Sequence, residues 1–197
     1  METSIDQRRS IRKFLDKPIP KQELLEILQS GLKAPSSKNS QPWNYTVVQD
    51  QAKVEMLQAF RQGLERMEND PLLPPPFKPL ISAAKQTANI METAPVILLA
   101  VNPYGKNVLG PLAPEEHLAE ITQIQSISAS MENILLAATE KGIGSLWICD
   151  IYFAYDELCQ WLGTDGQLVA AIALGYPGES PSARPRKSLE EVVEWRS

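Results

Sequence analysis

A long helical pattern that begins at Pro114 places the strongest constraint on how this chain can fold. Its apolar residues recur at helical spacing, at Ile124, Ile127, Met131, Ile134, Leu135 and Ala138. The glycines of Gly142-Ile143-Gly144 end the pattern. A helix with so apolar a face needs to be covered, so we expect it in the core or at an interface between subunits.

Four segments have the pattern of β-strands, at residues 43–48, 96–101, 145–149 and 168–174. Further helical patterns occur at residues 24–32, 51–66, 82–91 and 155–162, and a short helix capped by Thr3 or Ser4 is predicted through residues 8–12. Because the helices cluster instead of alternating strictly with strands, the order favours an α+β class with a mixed sheet flanked by helices. A single domain over residues 1–197 is expected for a chain of this length.

A proline-rich stretch at about residues 70–80 interrupts these patterns, at Pro71, Pro74, Pro75, Pro76 and Pro79. Such a stretch is neither helix nor central strand, so it is interpreted as a surface excursion, one reading of which is a lid. The sequence after it is too short for an independent second domain, which argues against a domain linker.

The charge of the chain is unevenly distributed. The formal net charge of −5 leaves no overall basic field for a polyanion and disfavours a dedicated nucleic-acid binder. Residues 1–38 nevertheless contain eight Lys or Arg against five Asp or Glu, a net charge of +3. This local excess favours a small anionic ligand, although a solvated helix face has the same composition.

Nothing in the sequence predicts a membrane or secreted protein. The longest apolar run, residues 168–174, has seven residues, whereas a membrane span needs about 20. The N-terminal segment lacks the apolar stretch of a secretory signal. The two cysteines, Cys149 and Cys159, are too few for a disulfide-stabilised fold. We therefore expect a cytoplasmic protein.

Side chains that could carry catalysis themselves are scarce. The sequence has one histidine, His117, and two cysteines. These are too few to favour a Ser-His-Asp or Cys-His mechanism or a zinc site. The Gly142 to Gly144 pair precedes a strand and lacks the third glycine of a dinucleotide fingerprint. A bound cofactor is therefore the expected source of the chemistry.

Two groups of arginines suit a phosphate. Arg8, Ser10 and Arg12 lie on one side of an extended chain, and the two arginines still share a face in a helix. Arg184 and Arg186 form a second pair near the opposite end. If the fold brings both ends together, their guanidinium groups would clamp a phosphate monoester. Separate exposed arginines are the alternative reading.

Between these groups lies a polar segment with Ser36, Ser37, Asn39 and Gln41. Its hydroxyl and amide groups both donate and accept hydrogen bonds, which suits a polyol or a pyrimidine edge. A hydrogen-bonded turn before the strand at Trp43 is the alternative interpretation.

Five blocks of the sequence, in the same order, resemble the FMN-dependent nitroreductase family: Arg8–Phe14, Ala34–Trp43, Gly142–Ile148, Ala173–Pro177 and Arg184–Val193. The resemblance implies a nitroreductase-like fold with a mostly antiparallel sheet. It also implies an obligate homodimer with a helical interface, in which each of two FMN molecules contacts both chains. Longer members continue as a C-terminal arm across the partner, whereas this chain stops at Ser197.

The resemblance also implies which residues bind FMN. Arg8 and Ser10 would hold phosphate or ribityl oxygens, Arg12 the pyrimidine edge, and Arg184 with Arg186 the phosphate. Arg9 would be a further cofactor-binding residue. The second chain would contribute Pro35, Ser36, Ser37 and Asn39. Gln86 or Asn89 would contact the flavin edge. Ile148 and Cys149 would line the central ring, with a backbone N–H near Cys149 facing N5.

The expected activity is electron transfer from NAD(P)H through flavin N5 to nitroaromatic, quinone or similar electron-poor acceptors, by a ping-pong mechanism without a catalytic side chain. The stretch from Pro71 to Pro79 would govern the choice of acceptor. Enone reduction, dehalogenation or flavin fragmentation on the same scaffold, a non-catalytic flavin-binding protein, and a flavin-free interaction protein are alternatives. The sequence does not distinguish NADH from NADPH.

Overall fold

The computed structural model describes residues 3–196, which fold into one α+β unit. Its helices are α1 (Ser4–Gln7), α2 (Lys21–Gly31), α3 (Asp50–Glu68), α4 (Lys78–Thr93), α5 (Pro114–Glu140), α6 (Tyr155–Leu162) and α7 (Leu189–Val192). Its strands are β1 (Asn44–Val48), β2 (Val96–Asn102), β3 (Gly144–Ile148) and β4 (Gln167–Gly175). Short 3₁₀ turns lie at Ser37–Asn39, Pro75–Phe77 and Asp150–Ala154.

The four strands form one sheet in the order β1-β2-β4-β3, and each neighbouring pair is antiparallel. The predicted α+β class and mostly antiparallel sheet are confirmed. Parallel pairing within residues 3–196 is limited to an isolated bridge between Ser10 and Ser145, so the mixed character comes from one bridge and not from a strand.

The core has two layers, one on each face of the sheet. On one face α3, α4 and α6 pack against the sheet, with the buried Phe60 of α3 among them. On the other face α2 and α5 pack against alternate residues of the two fully buried strands, β2 and β4. Alternation of side chains across the strands explains how both faces bury apolar residues.

Helix α5 confirms that the long apolar pattern marks a core element. Ile127, Met131, Ile134, Leu135 and Ala138 are buried against the sheet. Ile124 is only partly covered. Among the described residues no helix, α5 included, is long and apolar enough to cross a membrane.

The N-terminal helix is shorter than predicted, and the expectation of helix through residues 8–12 is wrong. Thr3 and Asp6 form a capping box around a single turn, and Arg8 leaves the helix at φ −55°, ψ 128°. The chain then runs extended and bridges Ser145 through Ser10 and Pro177 through Phe14. These distant backbone partners replace the hydrogen bonds of a continued helix.

Two other boundaries differ from the pattern. Helix α4 begins at Lys78, so Pro79 lies in its first turn instead of in an irregular excursion. A proline is compatible with that turn, because its missing N–H would have no helical partner there. Cys149, predicted within the third strand, follows the end of β3.

Candidate functional site

A cationic cleft lies where the two ends of the domain meet. It is lined by Arg8, Arg9, Ser10, Arg12, Pro181, Ser182, Arg184 and Arg186, and we call it the arginine cleft. The structure thus brings together the two arginine groups that are separated by more than 170 positions in the sequence. Residues 8–14 are not helical, and in an extended chain alternate residues such as Arg8, Ser10 and Arg12 share one side.

Backbone pairing holds these two segments together. The N–H of Ile11 donates to the carbonyl of Ser145 at 2.9 Å, and the N–H of Gly178 donates to the carbonyl of Lys13 at 2.8 Å. Gly144 is required for this approach, because a Cβ there would lie 2.8 Å from the side chain of Ile11. The arginine segment is therefore fixed against the start of β3 and the chain that follows β4.

The arginine cleft carries largely uncompensated positive charge. Arg9, Arg12 and Arg186 donate to main-chain carbonyls of their own segments. Arg8 approaches a half-exposed carboxylate, Glu132 of α5, with 3.5 Å between Nε and Oε1. No acidic side chain belongs to the described lining. This donor set matches a dianionic phosphate, which accepts several charge-assisted hydrogen bonds at once.

The size of the arginine cleft also fits a phosphate group. Its volume is about 100 Å³, whereas pockets that enclose drug-sized ligands span roughly 300–1,000 Å³. One chain therefore offers a phosphate-sized anion site and not an enclosed pocket for a whole nucleotide.

The polar loop at residues 35–41 does not line the arginine cleft of its own chain. The N–H of Ser37 donates to Ser126 Oγ of α5 at 3.1 Å, and the N–H of Gln41 donates to Ser36 Oγ at 3.0 Å. Pro35 and Asn39 are exposed. The loop and the first turns of α5 line a separate open cavity of about 360 Å³.

The same loop holds its backbone in an unusual conformation. Lys38, Asn39 and Gln41 have φ values of 52°, 54° and 46°, in the left-handed region that non-glycine residues seldom adopt. Conformations of this kind persist where the surroundings impose them, and they cluster at binding sites. Here the hydrogen bonds of Ser37 and Gln41 hold the loop, while Lys38, Asn39 and Gln41 remain exposed.

The end of β3 provides the next candidate position. The side chain of Ile148 is only 2% exposed and packs in the core, so it is not available to line a ligand. Cys149 directly after it is exposed, yet local desolvation of the thiol raises the Cys149 pKa. The thiol therefore stays protonated at neutral pH and is a poor nucleophile. At roughly 3.3 Å per residue, the end of β3 at Ile148 lies about 10 Å along the strand from Ser145, which pairs with Ser10 of the arginine cleft.

Helix α4 contributes a contact that the sequence did not reveal. Thr87 Oγ1 donates to Asp150 Oδ2 at 2.5 Å, which places that side of α4 beside the residue after Cys149. Gln86 and Asn89 are both exposed. Asn89 lines a surface groove with α3, whereas Gln86 is the immediate neighbour of Thr87. Both side chains remain exposed candidates for a contact with the flavin edge.

Comparison with known proteins identifies what this arrangement resembles. The model of the Nitroreductase family matches residues 5–176. A Thermus thermophilus protein named NADH dehydrogenase is 28% identical over 201 residues, which cover 99% of this chain and 95% of that protein. An Archaeoglobus fulgidus protein, described as NADH dehydrogenase or NAD(P)H nitroreductase, is 30% identical over 176 residues, 86% and 81% of the two chains.

A solved structure adds a likeness in three dimensions. A Desulfovibrio desulfuricans protein, described as a nitroreductase in complex with FMN, superposes with a TM-score of 0.72 at 26% identity. The superposition covers 98% of this chain and 95% of the other. Arg184 and Arg186 lie beyond residue 176, so the family match itself does not include the second half of the arginine cleft.

Proposed function

Because this chain belongs to the nitroreductase family, we propose that it is an FMN-dependent oxidoreductase. It takes electrons from NAD(P)H and passes them to a small electron-poor acceptor, such as a nitroaromatic compound or a quinone. The observation that carries the proposal is the arginine cleft, whose donors fit the phosphate of FMN. The FMN in the Desulfovibrio structure and the names of the Thermus and Archaeoglobus relatives support the cofactor and the electron donor.

Residues of the arginine cleft hold the phosphate end of FMN in this proposal. Arg8, Arg9, Arg184 and Arg186 supply charge, and Ser10 supplies a hydroxyl. Arg12 reaches from the same extended segment toward the pyrimidine edge. When bound, FMN supplies reversible two-electron transfer, which no side chain of the site can perform.

The other end of the flavin lies near the end of β3. The main chain at Cys149 orients the ring through an N–H, and Gln86 contacts its edge. Because the thiol of Cys149 stays protonated, the protein acts here through position and dipoles instead of through a nucleophile.

A second copy of the chain completes the site. Pro35, Ser36, Ser37 and Asn39 lie outside the arginine cleft of their own chain, so we assign them to the flavin of the partner. Large apolar side chains remain uncovered on the first turns of α5 and in the C-terminal tail, including Leu118 at 65% and Trp195 at 87% exposure. Burial of such surface between two copies explains why a single chain leaves it exposed.

A stopped-flow experiment tests the reaction. We expect NADH or NADPH alone to bleach the absorbance of the bound flavin, and a later addition of menadione or nitrofurazone to restore it, because each substrate reacts separately. Bleaching that requires both substrates together contradicts the ping-pong scheme. A yellow protein that oxidises no pyridine nucleotide with any acceptor is instead a flavin-binding protein without this activity.

A further inference from the structure

Glu179 joins the two segments that build the arginine cleft. One carboxylate oxygen, Oε1, accepts hydrogen bonds from the backbone N–H of Arg12 at 2.5 Å and of Lys13 at 3.2 Å. The side chain is partly buried and lines a neighbouring cavity, not the arginine cleft itself. Among the described residues, the hydrogen bonds of this carboxylate come only from the main chain of the arginine segment.

In chain order, the two hydrogen bonds of Glu179 are the last to the N-terminal segment before the second arginine pair, Arg184 and Arg186. Tyr176 and Gly178 pair with the N-terminal segment through their backbones. Within residues 3–196, no hydrogen bond joins residues 180–186 to that segment. Residues 182–186 are exposed throughout. Glu179 is therefore the last residue before Arg184 and Arg186 that forms a hydrogen bond with the segment carrying Arg8 and Arg12.

We propose that Glu179 is a positioning residue for the phosphate of FMN, an inference that rests on the proposed function. Its carboxylate fixes the two arginine-bearing segments at the spacing that the phosphate needs before the ligand arrives. Preorganisation of this kind strengthens binding, because less ordering is required on association.

Simple electrostatics predicts the opposite effect for this residue. Removal of a negative charge beside an anion site strengthens anion binding by Coulomb's law. The proposal predicts weaker binding when the side chain is removed, so the sign of the change separates the two effects.

The test measures FMN and riboflavin affinities by flavin fluorescence in the wild type, Glu179→Ala, Glu179→Gln and Asp165→Ala. Riboflavin lacks the phosphate, and Asp165 is an exposed carboxylate in the loop before β4. We expect Glu179→Ala to bind FMN about tenfold more weakly and riboflavin within about twofold of the wild type. Glu179→Gln retains an accepting oxygen and is expected to stay within about threefold for FMN, and Asp165→Ala to bind both ligands as the wild type does.

Several results would overturn the proposal. These are unchanged or tighter FMN binding in Glu179→Ala, an equal loss for FMN and riboflavin, and a Glu179→Gln variant as weak as Glu179→Ala. A wild type that binds neither flavin refutes the proposed function instead. In that case calorimetry with inorganic pyrophosphate decides the role of Glu179. A roughly tenfold weaker affinity of Glu179→Ala for pyrophosphate supports the positioning role, and an unchanged affinity overturns it.

Discussion

Replacing Arg8 and Arg184 together with alanine is expected to yield protein that purifies without FMN. The two side chains come from opposite ends of the chain and line the same cleft. A hydrogen bond to a charged group contributes about 1.5–3 kcal/mol, so Arg8→Ala alone is expected to weaken FMN binding by that amount. If the two losses add, removal of both groups lowers the affinity by about a hundredfold or more. The measurement is the ratio of flavin to protein absorbance after purification, followed by FMN titration.

Arg61→Ala provides the matched control for this variant. Arg61 lies on α3 and pairs with Glu92 at 2.7 Å, outside the arginine cleft. It is expected to retain the FMN content of the wild type. Full FMN content in the double variant would show that the phosphate binds elsewhere.

The second large effect concerns the close contact between α3 and the turn that follows Cys149. Gly63→Ala is expected to destabilise the fold by about 2 kcal/mol. Overpacking costs up to about 3 kcal/mol, and the higher helix propensity of alanine offsets about 1 kcal/mol of that cost. A Cβ on Gly63 would lie under 3.0 Å from Ala154, and the obstructing atoms include the backbone Cα. Urea-induced unfolding at one fixed protein concentration measures the difference.

Gly110→Ala is the control for Gly63→Ala. The nearest heavy atom to a Cβ on Gly110 is the carbonyl oxygen of Asn107 at 3.6 Å, an ordinary contact. This variant is expected to keep its stability or to gain up to about 1 kcal/mol, because alanine restricts the unfolded chain. Equal stabilities of the two variants would contradict the tight packing of α3 on residues 150–154.

Elements whose burial follows a regular period were predicted well. Helix α6 runs from Tyr155 to Leu162 as its pattern predicts, and the apolar face of α5 is buried against the sheet. In both cases the period of the apolar residues reflects which side of the element faces the core. The strands β2 and β4 are recognisable for the same reason, since they are apolar on both faces.

The N-terminal segment shows where local signals fail. A capping residue and arginines at helical spacing favour a helix through Arg12, but the backbone pairs with Ser145 and Pro177 instead. Pairing over such a separation leaves no periodic trace near residue 10. The residue types of the arginine cleft were therefore predictable, whereas the conformation that assembles them was not.

The same limit applies to residues that support the site. Glu179 and the Thr87–Asp150 pair act through contacts between distant segments, which no motif marks. The positive φ values of Lys38 and Gln41 could not be predicted from the sequence either, because lysine and glutamine do not favour the left-handed conformation. For Ile148 a signal existed, since alternation along β3 from Leu146 places its side chain in the core.

The central claim is that arginines from both ends of the chain bind the phosphate of FMN. Calorimetric titration of the flavin-free wild type with FMN and with riboflavin, at low and high salt, tests it most directly. We predict that FMN binds at least about a hundredfold more tightly than riboflavin, and that salt weakens only the binding of FMN. Equal affinities for the two flavins, unaffected by salt, would contradict the claim.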